Sequence, residues 1–382
     1  MSYHLKIYRS ASDLPGNWEL IVGRYHVMLS GNYVRALQES KPQNMECYLV
    51  GFFQENELVG GALFQYLDFI RYQKTTDHHF RMRIKNLAAG MIVKDIMILG
   101  NNMLTGQNGF YFDFSKIQSE DAVNLLHKAI RKMQCEIRKT SLIVGKDYQK
   151  AFAGKFFGKP EEGYFQFAVQ PNMKLAIRES WKTFEDYTDS FSKKYRARAK
   201  AAKKKLQNIE KLELNLELIR NYRLEMKRLY QHVAENASFN TFFLAENHFE
   251  KMKENLGEQF KVFGYFSEKQ MIGFYTLMVN NTDVDTYFLG YDKIHQKEKQ
   301  IYLNMLLDMV EFAVSHQFKR VVFGRTALEI KSTVGAEPVE IYIFMKHTNS
   351  ILNKFTDKIF ASFAPKTEWT QRKPFKKNTD EL

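Results

Sequence analysis

Residues 51–60 read GFFQENELVG, and residues 264–273 read GYFSEKQMIG. Each is a glycine and two aromatic residues, a short polar turn, then an apolar pair and a second glycine, the pattern of a β-hairpin. The first continues as GALFQYL and the second as FYTLMVN. The likeness persists in order downstream. Ile96–Gly100 (IMILG) is answered by Tyr287–Gly290 (YFLG), a helical stretch over Glu120–Arg138 by one over Ile301–Phe318, and LIVGK (142–146) by VVFGR (321–325). One glycine match would carry nothing, because any two α/β segments share strand–turn–strand patterns. Four matches in one order predict two copies of one α/β domain in tandem.

The helices fit this reading. Over 120–138, Ala122, Leu125, Leu126, Ala129, Ile130, Met133 and Ile137 recur at three-and-four spacing, the mark of an amphipathic helix. Glu120 and Asp121 open it, where a helix N-terminus favours negative charge. The second copy, IYLNMLLDMVEFAVSHQF, is apolar almost all round, with a polar stripe of only Asn304, Asp308, Glu311 and Ser315. Such a helix is expected under a sheet on one side and the other domain on another, its stripe at a solvated edge or a cleft. Each half opens on a strand-like alternation: Tyr3, Leu5 and Ile7 in the first, and Leu212, Leu214, Leu216 and Leu218 in the second. The order per half is strand, helical stretch, hairpin, strand, helix, strand, an α/β unit with a mixed sheet.

Composition bounds the partners. The 382 residues are 45% hydrophobic with 7 prolines, which excludes wholesale disorder. Aromatic residues make up 14%, led by 32 Phe, enough for apolar cavities as well as cores. Lys and Arg number 56 against 43 Asp and Glu, a formal charge of +13. A chain this basic tends to meet an anion: nucleic acid, an anionic membrane face, a phosphorylated cofactor or an acidic carrier protein. Cys47 and Cys135 sit in no ligand or redox pattern, which reads as a reduced compartment. MSYHLKIYRS lacks the apolar core of a secretory signal, and no run approaches the ~18 apolar residues of a spanning helix. The expectation is a cytoplasmic protein, soluble or peripheral to the inner membrane face.

Between the copies, Thr183 and Asp186 have capping-box spacing and open a helix bearing Phe184, Tyr187 and Phe191. Ser192 can cap the next helix. Lys193–Lys205 holds eight basic residues and no acidic one, a surface for tRNA phosphates, an acidic carrier or an anionic membrane. The stretch HVAENASFNTFFLAENHF (232–249) holds four phenylalanines, to wall an apolar acyl pocket or to fill a core. The tail KTEWTQRKPFKKNTDEL shows no periodicity and is expected to fray. The expected boundaries are 1–164 for the first domain, 165–210 for a connecting strand and basic helix, 211–365 for the second domain and 366–382 for the tail.

This order of elements resembles the GNAT (acyl-CoA N-acyltransferase) fold, and two copies in tandem resemble its FemAB-like branch, including peptidoglycan-biosynthesis-type acetyltransferase domains. The match is closest in SWKTFEDYTDSFSKKYRARAKAAKKKL and in FGRTALEIKSTVGAEPVEIYIF, over roughly residues 165–350. One departure matters. GNAT enzymes that use acetyl-CoA carry a Gln/Arg-x-x-Gly-x-Gly/Ala loop whose backbone N–H groups and helix N-terminus cradle the pyrophosphate. Here the two places read GNNMLTGQNGFYF and YDKIHQKEKQIY, neither with that order. The FemAB branch lacks the loop too and takes its acyl group from a charged tRNA. Other relatives acylate amino-lipids.

Amide formation needs an unprotonated amine, a donor for the developing oxyanion and a proton for the leaving group. By the resemblance, Gly290 lies where the fold places the backbone donor. Tyr287 and Tyr291 are candidate proton donors, and His295, just past them, a candidate base or acid. Arg325 and Lys331 match the family's closing block and can hold a phosphate or carboxylate. Asn304 is a candidate substrate contact on the polar stripe. Lys297, Lys299 and Gln300 can grip a donor phosphate at the helix entry. Each has a plain structural alternative in packing or solvation. No metal and no tightly bound cofactor is expected. The reading is an N-acyltransferase with its catalytic site in the second copy, at a cleft facing the first. It would move an acyl group from acyl-CoA or acyl carrier protein to the amine of a lipid or amino-sugar. Two alternatives stay open: a tRNA-dependent aminoacyltransferase acting on a cell-wall precursor, and a non-catalytic binding protein on the same scaffold.

Overall fold

The computed structural model describes residues 2–68, 93–149, 155, 162–237, 240–357 and 368–376. The chain divides into two compact units, one of residues 1–170, 239–256 and 340–365, the other of 171–238, 257–339 and 366–382.

Both repeated hairpins form. In the first unit β2 (Met45–Gln54) pairs antiparallel with β3 (Glu57–Asp68), and in the second β10 (Phe260–Ser267) pairs with β11 (Gln270–Asn280). The repeat extends to the irregularities. The register slips between Phe52 and Phe53 in one and between Tyr265 and Phe266 in the other, equivalent positions in the quoted stretches. Glu55 in the first turn, and Glu268 and Lys269 in the second, take left-handed φ values of 51°, 49° and 68°, the turn twist that matches paired strands.

The first sheet runs in the order β1 (Tyr3–Tyr8), β2, β3, β4 (Asp95–Leu99), β6 (Leu142–Tyr148), β15 (Tyr342–His347) and β7 (Phe165–Ala168), with β5 (Phe110–Phe112) beside β3. The second runs β9 (Glu210–Glu213), β10, β11, β12 (Asp283–Tyr291), β13 (Arg320–Gly324), β8 (Asn172–Ala176) and β14 (Glu337–Val339). Directions agree position by position: the first four strands alternate, β4–β6 and β12–β13 are parallel, and the last pairs are antiparallel. The fold is therefore two tandem GNAT-like α/β copies with mixed sheets, as the repeat predicts.

The copies trade one strand. β8 follows β7 in the chain yet fills the gap between β13 and β14, while β15, from the end of the second copy, fills the gap between β6 and β7. Residues 239–256 likewise join the first unit, where the helix His248–Leu256 packs on the helix Gly31–Glu39. His248 lies within hydrogen-bond distance of the Ser40 hydroxyl, and Asn44 donates to the Thr241 carbonyl. Contiguous boundaries thus do not describe how the chain is shared out. β7 belongs to the first unit, and β8 and the basic helix to the second.

Each sheet is covered by its predicted helix. In the first unit α3 (Ser119–Glu136; α1 is Trp18–Ile21 and α2 Gly31–Glu39) buries Ala122, Leu125, Leu126, Ala129, Ile130 and Met133. In the second, α10 (Ile301–Ser315) lies on the sheet beneath α4 (Phe184–Asp189) and α5 (Lys193–Lys204). The Thr183–Asp186 capping box at the start of α4 is complete. The polar stripe of α10 is solvated only at its end, where Ser315 is exposed and Glu311 half-buried: Asn304 and Asp308 are buried, and Asn304 donates to the Ala202 carbonyl of α5.

Three further expectations change. The alternation Leu212–Leu218 is a strand only to Glu213, because the Asn215 side chain accepts from the Leu218 amide and starts α6 (Leu216–Asn221). Over 368–376 the tail is packed: Phe375 sits against Trp181, Tyr187 and Phe191, bridges to Phe191 as a β-partner and lies under the Arg178 guanidinium. Of the four phenylalanines in 232–249, Phe242 and Phe249 are buried, which favours a core role for them, and Phe239 lies outside the described residues. No described helix is long and apolar enough to cross a membrane.

Candidate active site

In each sheet the central parallel pair parts after a few positions. β4 and β6 are paired at four successive positions, Ile96–Leu142 through Leu99–Gly145. β12 and β13 pair only at Asp283–Arg320, Val284–Val321 and Asp285–Val322, then part. Beyond this fork β12 stays with β11, and β13, paired with β8 from Arg320, continues along it to Gly324. Asp285 sits at the base of the fork, almost wholly buried.

The β12 arm carries a bulge. Tyr275 pairs with Leu289 and Leu277 with Thr286, so Tyr287 and Phe288 together face Thr276. The Thr276 hydroxyl donates to the Phe288 carbonyl at 2.7 Å and holds the bulge. A bulge takes backbone groups out of the ladder and re-aims them, the requirement for an oxyanion donor. It falls at Tyr287–Phe288 and not at Gly290. Gly290 has a packing reason to be glycine: a Cβ there would lie 2.5 Å from the Leu229 and Tyr230 backbone of α7 (Arg223–Ala234). The Tyr287 ring, half-buried, packs edge-on against Phe260 and Phe288.

The other arm is held by Lys331, on α11 (Leu328–Ser332; α8 is His248–Leu256 and α9 Lys293–Lys299). Its ammonium donates to the carbonyls of Phe323 (2.7 Å), Gly324 (3.4 Å) and Arg325 (2.9 Å). This cage bends the chain through left-handed φ at Gly324 (72°), Thr326 (74°) and Ala327 (47°). Burial pushes the amine down to about 7. Lys331 is only 4% exposed, which places it within the fold instead of in a surface pair with Glu329 or Glu337. Arg325 is half-buried at the end of this arm.

The helix entry is occupied by the chain itself. The Gln296 side chain accepts from the Tyr302 amide at 2.6 Å, and Asn304 donates to the carbonyls of Lys299 and Gln300. Gln300 turns the chain between α9 and α10 with φ 52°. Asn304 is thus a structural tie, not a free contact. Its Oδ1 is buried and accepts no hydrogen bond. Lys297 is exposed, and Lys299 and Gln300 are half-buried. His295 is folded back on its own helix cap, Nδ1 at 3.0 Å from Asp292, whose carboxylate also accepts from the Ile294 and His295 amides. Burial raises the Asp292 carboxyl, but these hydrogen bonds outweigh it and hold the group below its ordinary value.

The basic helix is partly compensated. Lys203 pairs with Asp308 and Glu311 of α10, Asp308 also accepts from the Tyr265 phenol, and Arg196 lies 3.5 Å from Asp189. Lys193, Lys194, Arg198, Lys200, Lys204 and Lys205 remain exposed, with no acidic partner among the described residues. Sequence reasoning missed Asp285 and the bulge. Two aspartates two apart in an otherwise apolar strand, DVDTYFLG, were the available signal.

No protein-family model matches the chain, and no curated protein matches it in sequence. Among solved structures it is similar to FemX, with TM-score 0.57 and 11% identity over 94% of this chain and 100% of that one. It is also similar to L-PGS from Bacillus licheniformis (TM-score 0.47, 10% identity, 86% and 95% covered) and to a tandem GNAT protein from the clavulanic acid biosynthesis pathway (0.48, 9%, 91% and 98%). The FemX likeness spans both copies and is a likeness of fold.

Proposed function

We propose that the chain is an acyl-transfer enzyme that joins an aminoacyl group, delivered on tRNA, to an amine at the fork between β12 and β13. The observation that carries the reading is the fork itself: a bulged arm, a lysine-caged arm and a buried aspartate where the two part. In this reading the neutral acceptor amine attacks the ester carbonyl, an amide N–H of the Tyr287–Phe288 bulge stabilises the oxyanion, Tyr287 protonates the departing ribose oxygen as the C–O bond breaks, and the proton shed by the new amide nitrogen returns to the Tyr287 phenolate through water. Lys331 holds the β13 arm in place through its three carbonyl contacts.

The donor argument is one of charge and closure. A CoA pyrophosphate would need the N-terminal amides of α10, and the Tyr302 amide is taken by Gln296. Six exposed cations over Lys193–Lys205, without an acidic partner among the described residues, favour a polyanion. The resemblance to the FemAB branch implies the same donor, and a cell-wall amine as acceptor. Acyl-CoA or acyl carrier protein, and peripheral membrane contact through Lys193–Lys205, are the competing readings.

The test is single-turnover transfer from radiolabelled aminoacyl-tRNA to a panel of amines, run beside palmitoyl-CoA and acyl carrier protein donors. Transfer from tRNA alone, lowered about 100-fold or more by Tyr287→Phe, supports the proposal. Transfer from CoA alone, or none from any donor, overturns it.

A further inference from the structure

Away from the fork, the first unit holds a pocket of about 290 Å³ lined by Arg9, Ser10, Leu37, Gln38, Lys41, Glu46, Cys47 and Tyr48. It lies where the end of β1, the end of α2 and the start of β2 converge, and the acyl-transfer reading makes no use of it. Its size is at the lower end for a small-molecule site.

Its polar groups can be accounted for one by one. Gln38 is engaged at both ends of its amide, accepting from the Ala11 amide at 3.1 Å and donating to the Arg9 carbonyl at 2.7 Å. The Ser10 hydroxyl is paired with Ser12. Glu46 accepts from the Tyr48 phenol at 2.9 Å and faces Arg138 at 3.4 Å, so its charge is answered from within the unit. Two groups are left over: the Arg9 guanidinium and the Lys41 ammonium, neither with an acidic partner among the described residues. Both fields reach the pocket. Burial drives the Cys47 thiol up to about 12 while Lys41 opposes it, and burial with Glu46 drives the Tyr48 phenol up to about 12 while Arg9 opposes it. Leu37 and Cys47, both buried, give an apolar floor.

Two unanswered cations at the mouth of a small pocket with an apolar floor suit a ligand with an anionic head and a short carbon body. We propose that this pocket binds a small organic anion, its carboxylate or phosphate between Arg9 and Lys41 and its apolar part on Leu37 and Cys47. The site is independent of the fork, so it survives or fails separately from the transfer reading.

The test is calorimetric titration of the full chain with phenyl phosphate, benzoate and inorganic phosphate. Phenyl phosphate or benzoate is expected to bind saturably and about tenfold tighter than inorganic phosphate. Arg9→Ala and Lys41→Ala are each expected to weaken the better probe about fivefold; Lys41→Arg should retain it and Tyr287→Phe should leave it unchanged. A stronger response to phenyl phosphate identifies a phosphate site, and one to benzoate a carboxylate site. Absence of saturable binding, equal affinity for inorganic phosphate, or affinity indifferent to both alanine substitutions in chains that unfold at the parental temperature overturns the proposal.

Discussion

Truncating Phe344 should loosen the first sheet, although the residue lies near the end of the second copy. Phe344 is 2% exposed in β15, opposite Gly145 of β6 and Gln166 of β7, and its ring meets Tyr148 edge-on at 6.3 Å. Phe344→Ala removes a buried aromatic side chain from this core, a change that costs about 3–5 kcal/mol. Leu175 is its mirror, 2% exposed in β8 opposite Val321 of β13. Leu175→Ala should cost about 2–5 kcal/mol and fall on the second sheet. Hydrogen exchange read by mass spectrometry separates the two. Phe344→Ala is expected to raise exchange in 142–148 and 165–168 while 320–324 keeps its protection, and Leu175→Ala to do the reverse. Loss of protection confined to the second sheet in Phe344→Ala would refute the exchanged-strand arrangement.

Three other consequences follow from local chemistry. Gly335 has φ 91° and its missing Cβ would run into the Phe375 ring; Gly335→Ala should dislodge 368–376 and speed tryptic cleavage at Arg372. Lys203→Met strips a partner from buried Asp308, though Lys211 stands 3.6 Å away. Chemical denaturation should show a loss of about 2 kcal/mol, partly recovered by adding Asp308→Asn. Burial lowers His248 from 6.5 to about 4. A depressed folded value means stability is fully present above pH ~6.5 and lost as pH falls through ~4, up to about 3 kcal/mol. His248→Gln should flatten that part of a pH–stability curve.

The architecture was largely legible because its signals are local. Two glycine-bounded hairpins, an amphipathic helix and a capping box are each written within about twenty residues. The exchange of β8 and β15 was not, since NMKLA and YIFMKH each read as a short strand and neither names its partner. Leu216 and Leu218 kept a strand's alternation, yet one asparagine cap turned them into a helix. At the candidate site, the sequence drew attention to Gly290, and the irregularity of the strand lies two to three residues before it. Gly290 stood out as a glycine, whereas the structure uses it to seat α7 and places the bulge at Tyr287 and Phe288. His295 attracted notice by residue type, but its imidazole is held by a helix cap. Lys331 was legible as a lysine, but its cage of three carbonyls depends on contacts with residues six to eight positions upstream.

Whether the donor arrives on nucleic acid is decided most directly by the salt dependence of tRNA binding to the whole chain. If the six exposed cations of Lys193–Lys205 each displace a counterion, log K should fall with log salt at a slope of roughly −4 to −5. Lys200→Ala and Lys204→Ala together should make it shallower by roughly two. A binding constant indifferent to salt, or a slope unchanged when those lysines are removed, contradicts the account.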